Sequence, residues 1–401
     1  MKNRKRMLAL LLALVLVASL CACTSADGDA SASPDPGASP DPSASPTIEV
    51  DLTQDAVTFA SGLSGDDVLL TVGDEDVAAR LFLYLLFLNC YEFESYYYPY
   101  YTAAGNADML LEDTVYMLRY YAACRQKANE LGCLLKDEQQ AALEARKSGE
   151  NAEAYEQEKA IFGLTDEDMD FLPVHYYYYN NLLGAIPKPS VDQLNNYVYQ
   201  TKHILLTTVD INGTPGYNED GEYVYPPLDE ETVAEKRALA DDILARLRAV
   251  EGEEQLKLFD ELMEEYSEDG RDADGHIDLN GYEAILSDAA TSEYDLCMVA
   301  PYEEGSLALD FGEISDIVES SYGYHIILRQ EVEFRSATVE EYLEDYHAYL
   351  LEQQMKEWTD DTQAVRTDAL VNLDAAGFYE RYYAYYIAFM EQYEAANGSG
   401  G

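Results

Sequence analysis

Positive charge is scarce in this chain. It has 25 Lys and Arg against 77 Asp and Glu in 401 residues, a formal net charge of −52. Such a surface repels phosphate backbones, which excludes nucleic acid as a partner. It also excludes flat adsorption on an anionic membrane and keeps the molecule soluble through self-repulsion. Cysteine is scarce too, at six. Beyond Cys21 and Cys23 there remain Cys90, Cys124, Cys133 and Cys297, with no C-x-x-C pair at metal-site spacing. Three of the four lie on apolar-patterned segments and read as buried free thiols, with a Cys124–Cys133 bridge left open. Long apolar runs are missing as well. Met7–Leu20 is a run of 14 residues, short of the roughly 20 a spanning helix needs.

That run follows Lys2, Arg4, Lys5 and Arg6 and ends Leu20-Cys21-Ala22-Cys23. A positive n-region and a short apolar core form a secretory signal. The ending resembles the lipobox of bacterial lipoprotein signals, in which small residues precede the cysteine that is lipidated. Residues 1–22 are therefore expected to be removed and Cys23 to carry the lipid, on the extracytoplasmic face of the cell membrane. An ordinary secretory signal cut after alanine is the plainer alternative. Removal leaves 21 basic against 77 acidic residues, net −56. Residues 23–50 follow as a Ser/Pro/Asp tether, Ser31-Ala32-Ser33-Pro34-Asp35-Pro36 being typical. Alternating prolines hold its low-complexity part, residues 24–47, extended to a reach of roughly 75 Å at about 3.1 Å per residue.

Residues 51–196 read as mostly helical. A strand at Val68–Val72 precedes a turn at Gly73–Asp76 and a helix through Ala78–Leu88. A second helix fits Met109–Leu131 with Gly132 as its cap, a third 136–162, and a further helix start lies at Pro189–Leu194, leading to Tyr199. From 201 to 331 the texture changes to short apolar runs bounded by turn signals, with a hairpin tip at Asp220-Gly221 and a strong helix at 230–249. Residues 337–395 return to helix, and 397–401 form a tail. The fold class expected is α+β. A central domain at 197–331, a small antiparallel sheet with surrounding helices, is inserted between N- and C-terminal helical segments. Those segments, 51–196 and 332–396, form a second, mostly α domain.

Within the central segment the order of patches carries the argument. Lys202-His203-Ile204-Leu205-Leu206 is a strand. Tyr266-Ser267-Glu268-Asp269-Gly270 follows a helix. Gly312-Glu313-Ile314-Ser315 is a turn, and Tyr322-Gly323-Tyr324-His325-Ile326-Ile327-Leu328 closes the segment. These residues in this order resemble the parvulin family of peptidyl-prolyl isomerases over about 130 residues. With the lipobox, tether and split helical flanks, the plan is similar to extracellular foldases of the PrsA type and to SurA-like chaperones.

The resemblance implies rotation about Xaa-Pro bonds, whose barrier is about 18–20 kcal/mol. No bond breaks, so neither a cofactor nor a metal is required. His203, Asp269 and His325 match the family's catalytic positions: the paired histidines under the site and the group beside the substrate carbonyl. Leu279, Met298, Tyr302 and Ser320 match the proline pocket and its rim. Two departures stand out. Asp278-Leu279-Asn280-Gly281-Tyr282 carries one residue more than the family's stretch, and Tyr302 stands where Phe is commoner, which would set a hydroxyl at the pocket rim. Thr207–Asn212 lacks the basic cluster of phosphate-directed members, so no phosphoserine preference is expected. Taken without the family, the two histidines read as core residues and Asp269 as a solvated loop acid.

Asp272-Ala273-Asp274-Gly275 has part of a calcium-loop pattern, but positions one and twelve of that loop would be Gly270 and Gly281. Tyrosine, at 35, far exceeds phenylalanine, at 11. Clusters at 96–101, 176–179 and 382–386 serve either helix packing or a cradle whose rings meet apolar client segments. The expected partners are unfolded or newly exported proline-containing polypeptides and, through the lipid, the membrane; a homodimer is left open. The rival readings are a chaperone whose parvulin module has lost catalysis and a solute-binding lipoprotein. The second requires strand–helix alternation that the flanks lack.

Overall fold

This computed structural model describes residues 48–97, 101–149, 152–217, 223–272, 274–291 and 295–397. The signal at 1–22, Cys23, most of the tether and the Asp220-Gly221 tip lie outside the described residues.

The chain divides into two compact units. One takes in the described residues up to Pro187 and from Leu350 onward; the other is Lys188–Tyr349. The fold is α+β, a small antiparallel sheet domain flanked by helical segments.

The flanking unit begins with α1 (Ala56–Ser61), β1 (Val68–Val72), β2 (Glu75–Ala78) and α2 (Ala79–Tyr97), followed by α3 (Ala107–Glu130). The 136–162 stretch expected as one helix is two, α4 (Asp137–Arg146) and α5 (Ala152–Phe162). Gly149, at φ 74°, falls in the break, a backbone region in which side-chain-bearing residues are strained. Next comes α6 (Asp166–Ala185), capped by Thr165, whose side chain accepts from the Asp168 N–H while Asp168 answers in return. The expected helix start at 189–194 is a short 3-10 turn, Val191–Asn196, so Tyr199 belongs to a strand.

The central unit then runs β3 (Val198–Thr207), β4 (Gly216–Tyr217), β5 (Tyr223–Val224), α7 (Glu230–Arg248), α8 (Glu253–Tyr266), β6 (Tyr282–Ile285), α9 (Ala300–Leu307), β7 (Val318–Glu319) and β8 (Gly323–Gln330). Its sheet is antiparallel in the order β6-β3-β8-β7. The chain continues as α10 (Val339–Asp361), β9 (Ala364–Arg366), α11 (Asp368–Val371) and α12 (Ala375–Asn397).

Sheet alternation sorts the central side chains. Ile204 and Leu206 of β3 and Tyr324, Ile326 and Leu328 of β8 face α7 and α8. There they form a core with Ile243, Leu247, Phe259 and Leu262. The intervening residues Thr201, His203, His325 and Ile327 occupy the other face, toward α9. Residues 332–349 were expected with the C-terminal helices; up to Tyr349 they belong to the central unit instead. Buried Glu283 explains this, since it accepts from the Arg335 and Ser336 N–H groups and from the Tyr342 hydroxyl.

In the flanking unit β9 pairs with β1, completing a sheet in the order β2-β1-β9. The 337–395 stretch was expected to be helical throughout, and β9 interrupts it. Phe378 and Tyr382 of α12 join Phe87 and Phe162 in the core, with Phe87–Tyr382 ring centroids 5.0 Å apart. Tyr379, Tyr382 and Tyr385 are buried, whereas Tyr96, Tyr101, Tyr176 and Tyr383 are exposed. Cys124 and Cys133 are both free thiols; Cys90 and Cys124 are buried and Cys297 is exposed. Among the described residues no helix is long and apolar enough to cross a membrane.

Candidate active site

β3 and β8 pair with His203 opposite Ile327 and Leu205 opposite His325. This register sets the two histidines diagonally on the α9 face, where their Nδ1 atoms lie 3.3 Å apart. Both are nearly fully buried, at 4% and 3% exposure. Gly323 is required at the start of β8, because a Cβ there would run into the Leu206 carbonyl.

A hydrogen-bonded row crosses the site. Ser320 Oγ lies 2.7 Å from His325 Nε2, and the Tyr322 N–H donates to Ser320 Oγ. At the other end His203 Nε2 lies 2.8 Å from Asp269 Oδ2, which also accepts from the Tyr282 hydroxyl at 3.0 Å. An ionised Asp269 only accepts, so Nε2 of His203 carries a proton. His325 is pushed down to about 3, first by burial and then by His203, and so is neutral at physiological pH. The His203 hydrogen bond, its charge and the Tyr282 hydroxyl hold the Asp269 carboxyl below its ordinary value against half-burial.

The loop bearing Asp269 is fixed from both sides. Ser267, fully buried, accepts from the Leu205 N–H at 3.1 Å. Glu268 accepts from the Thr207 N–H and hydroxyl and pairs with Lys236. Burial raises the Glu268 carboxyl, but the Lys236 and Thr207 bonds outweigh it and keep it low.

Tyr302 of α9 is 1% exposed. Its ring meets His203 and His325 edge-on, with centroids 5.1 and 5.2 Å away. Its hydroxyl lies 2.9 Å from Thr201 Oγ1. The expected hydroxyl at the pocket rim is thus turned inward onto β3. Ser320 is in place beside His325. Leu279 is half-buried against the α7/α8 core, and Met298 is half-buried two residues before α9. The structure therefore brings His203, Asp269, His325, Tyr302 and Ser320 together. It adds Thr201, which no motif marked, and gives contacts to Ser267 and Tyr282, which the sequence placed inside motif stretches without a role at the site. Only the pairing of β6 with β3, which sets Tyr282 opposite Thr201, places the Tyr282 ring beside His203.

Two buried imidazole rings, an oriented carboxylate and the buried Tyr302 ring form a fixed polar row. Such a site can stabilise a redistributed amide dipole without bond breaking. The family model of the PPIC-type PPIASE domain matches residues 190–332. The foldase protein PrsA of Halalkalibacterium halodurans is 31% identical over 168 residues, covering 38% of this chain and 48% of that protein. The chain thus spans about half the length of this curated relative. The solved peptidylprolyl isomerase PrsA of Bacillus cereus is 19% identical over 79% of this chain and 99% of the other, with a TM-score of 0.31. One of two related SurA-like chaperones of Campylobacter jejuni is 21% identical over 58% of this chain and 88% of the other, with a TM-score of 0.21. Residues 190–332 are accordingly a parvulin, PPIC-type domain, and the chain is similar to the PrsA foldase over 168 residues.

Proposed function

We propose that this protein is a membrane-anchored extracytoplasmic foldase that catalyses cis/trans isomerisation of Xaa-Pro bonds in exported proteins and also holds unfolded clients. The observation that carries this reading is the continuous row Tyr282–Asp269–His203–His325–Ser320 against Tyr302. Isomerisation needs the enzyme to favour a twisted amide whose carbonyl and nitrogen are decoupled. In this reading Asp269 lies beside the substrate carbonyl, and the histidine pair fixes its geometry. Leu279, Met298, Tyr302 and Ser320 border the proline. Exposed Tyr96, Tyr101, Tyr176 and Tyr383 supply client contacts in the flanking unit, while their buried counterparts are packing. Anchoring is assigned to the lipid on Cys23.

One observation favours a second reading. Leu279 is partly buried against the α7/α8 core; a side chain committed there would offer the proline less apolar wall, which fits a weak isomerase acting chiefly as a holdase. The test is the protein's rate enhancement on unphosphorylated and phosphoserine-proline peptides. The isomerase reading expects clear acceleration of the first with no preference for the second. No acceleration selects the holdase. Replacing Cys23→Ala is expected to release the protein from the membrane fraction.

A further inference from the structure

Asp269 is held by two donors on one oxygen. His203 Nε2 and the Tyr282 hydroxyl both reach Oδ2, at 2.8 and 3.0 Å. The Tyr282 ring also meets His203 edge-on, with centroids 5.5 Å apart and planes at 81°. Tyr302 does the same at 5.1 Å and 85°, so the imidazole is clamped between two phenol rings from β6 and α9. The loop leaves room for the arrangement: a Cβ at Gly270 would stand 2.9 Å from the Tyr282 hydroxyl.

We propose that Tyr282 is a positioning residue of this site, whose hydroxyl pins Oδ2 of Asp269 together with His203 and so fixes which carboxylate oxygen is presented to the substrate amide. This rests on the isomerase reading above. A carboxylate bonded by a single donor can rotate about its terminal torsion, which is broad; two donors on one oxygen remove that freedom. The same bond favours the ionised form of Asp269. The groups facing Asp269 are His203 from β3, Tyr282 from β6, Tyr302 from α9, His325 from β8 and the Gly270 N–H of its own loop. Only the Tyr282 bond can be removed without touching the histidines or the packing of the ring.

Tyr282→Phe does this. Compared with wild type and Asp269→Ala, it should lower kcat/KM on an Xaa-Pro peptide about tenfold near neutral pH. It should also move the acid limb of the pH profile up by about one unit, the size expected for one hydrogen bond to a charged group. A purely structural role would not move the pH profile. If Asp269→Ala is inactive and the Tyr282→Phe profile superimposes on wild type, the inference is overturned and the isomerase reading survives. If Asp269→Ala keeps full activity, the inference falls together with the placement of Asp269 beside the substrate carbonyl; absence of acceleration by wild type is what overturns the isomerase reading itself. A second readout needs no variant: wild-type protein should show a slowly exchanging, downfield phenol proton assigned to Tyr282. Fast exchange of that proton contradicts the pinning.

Discussion

His325 lies between Ser320 and His203 with almost no exposure, and its pKa falls from 6.5 to about 3, through burial first and His203 second. The unfolded chain therefore binds this proton more readily than the native one. The contribution to stability is complete above about pH 6.5 and is lost as pH falls from there toward 3. The slope is up to about 1.4 kcal/mol per pH unit per group. Asp269 has the same sign lower down: its stabilisation is present above 3.8 and is lost as pH falls through its depressed native value. Acid also relieves repulsion among the excess carboxylates, which acts in the opposite direction. The comparison must therefore be between wild type and His325→Gln. Urea midpoints of the wild type are expected to fall faster between pH 6.5 and 4; parallel curves would refute it. Sequence alone singled out His203, Asp269 and His325 because each sits inside an ordered run of motifs. It could not give the direction of the Tyr302 hydroxyl, which depends on how α9 packs on β3, or the role of Tyr282, which depends on which strand lies beside β3.

Strand register decides which side chains can meet, and one backbone position at the β6 end guards it. Gly281 has φ 72°, and a Cβ there would collide with the Thr201 carbonyl of β3. Gly281→Ala combines left-handed strain with that clash. It is expected to cost about 2 kcal/mol or more in chemical denaturation and to loosen Tyr282; a loss under about 0.5 kcal/mol would contradict the β6–β3 pairing. The extra residue seen in Asp278–Tyr282 ends in this glycine turn, where the Asp278 side chain accepts from the Asn280 N–H. Helices α7 and α3 were legible from periodicity and length. The break between α4 and α5, the 3-10 turn at Val191–Asn196 and strand β9 were not. Short elements carry little period, and β9 exists because β1 offers it a partner.

For the molecule as a whole, the central unit interrupts the flanking one in sequence. The C-terminal part supplies β9 to the β1 sheet and Phe378, Tyr382 and Tyr385 to the core. Arg119 of α3 in turn donates to the carbonyls of Thr359 and Thr362 at the end of α10. Removing 350–401 strips that core of large buried aromatic side chains, each of which costs about 3–5 kcal/mol when truncated singly. Amide exchange in α2 and α3 should then approach unfolded rates, while β3 and β8 keep their protection, because their core is built from 204–328 alone. Retained protection in α2 would show that the N-terminal segment folds unaided. That the flanks fold together was foreseeable from their shared helical texture around a foreign insert. The extent of the central unit to Tyr349 was not, because Glu283 does its holding at a distance in sequence. The most direct test of the central claim is the isomerisation rate of an unphosphorylated Xaa-Pro peptide by folded wild type, Asp269→Ala and His203→Ala. Wild type should accelerate it, and each variant should lose at least about tenfold, within the range of positioned polar groups in active sites. Wild-type rates in both folded variants would contradict the account.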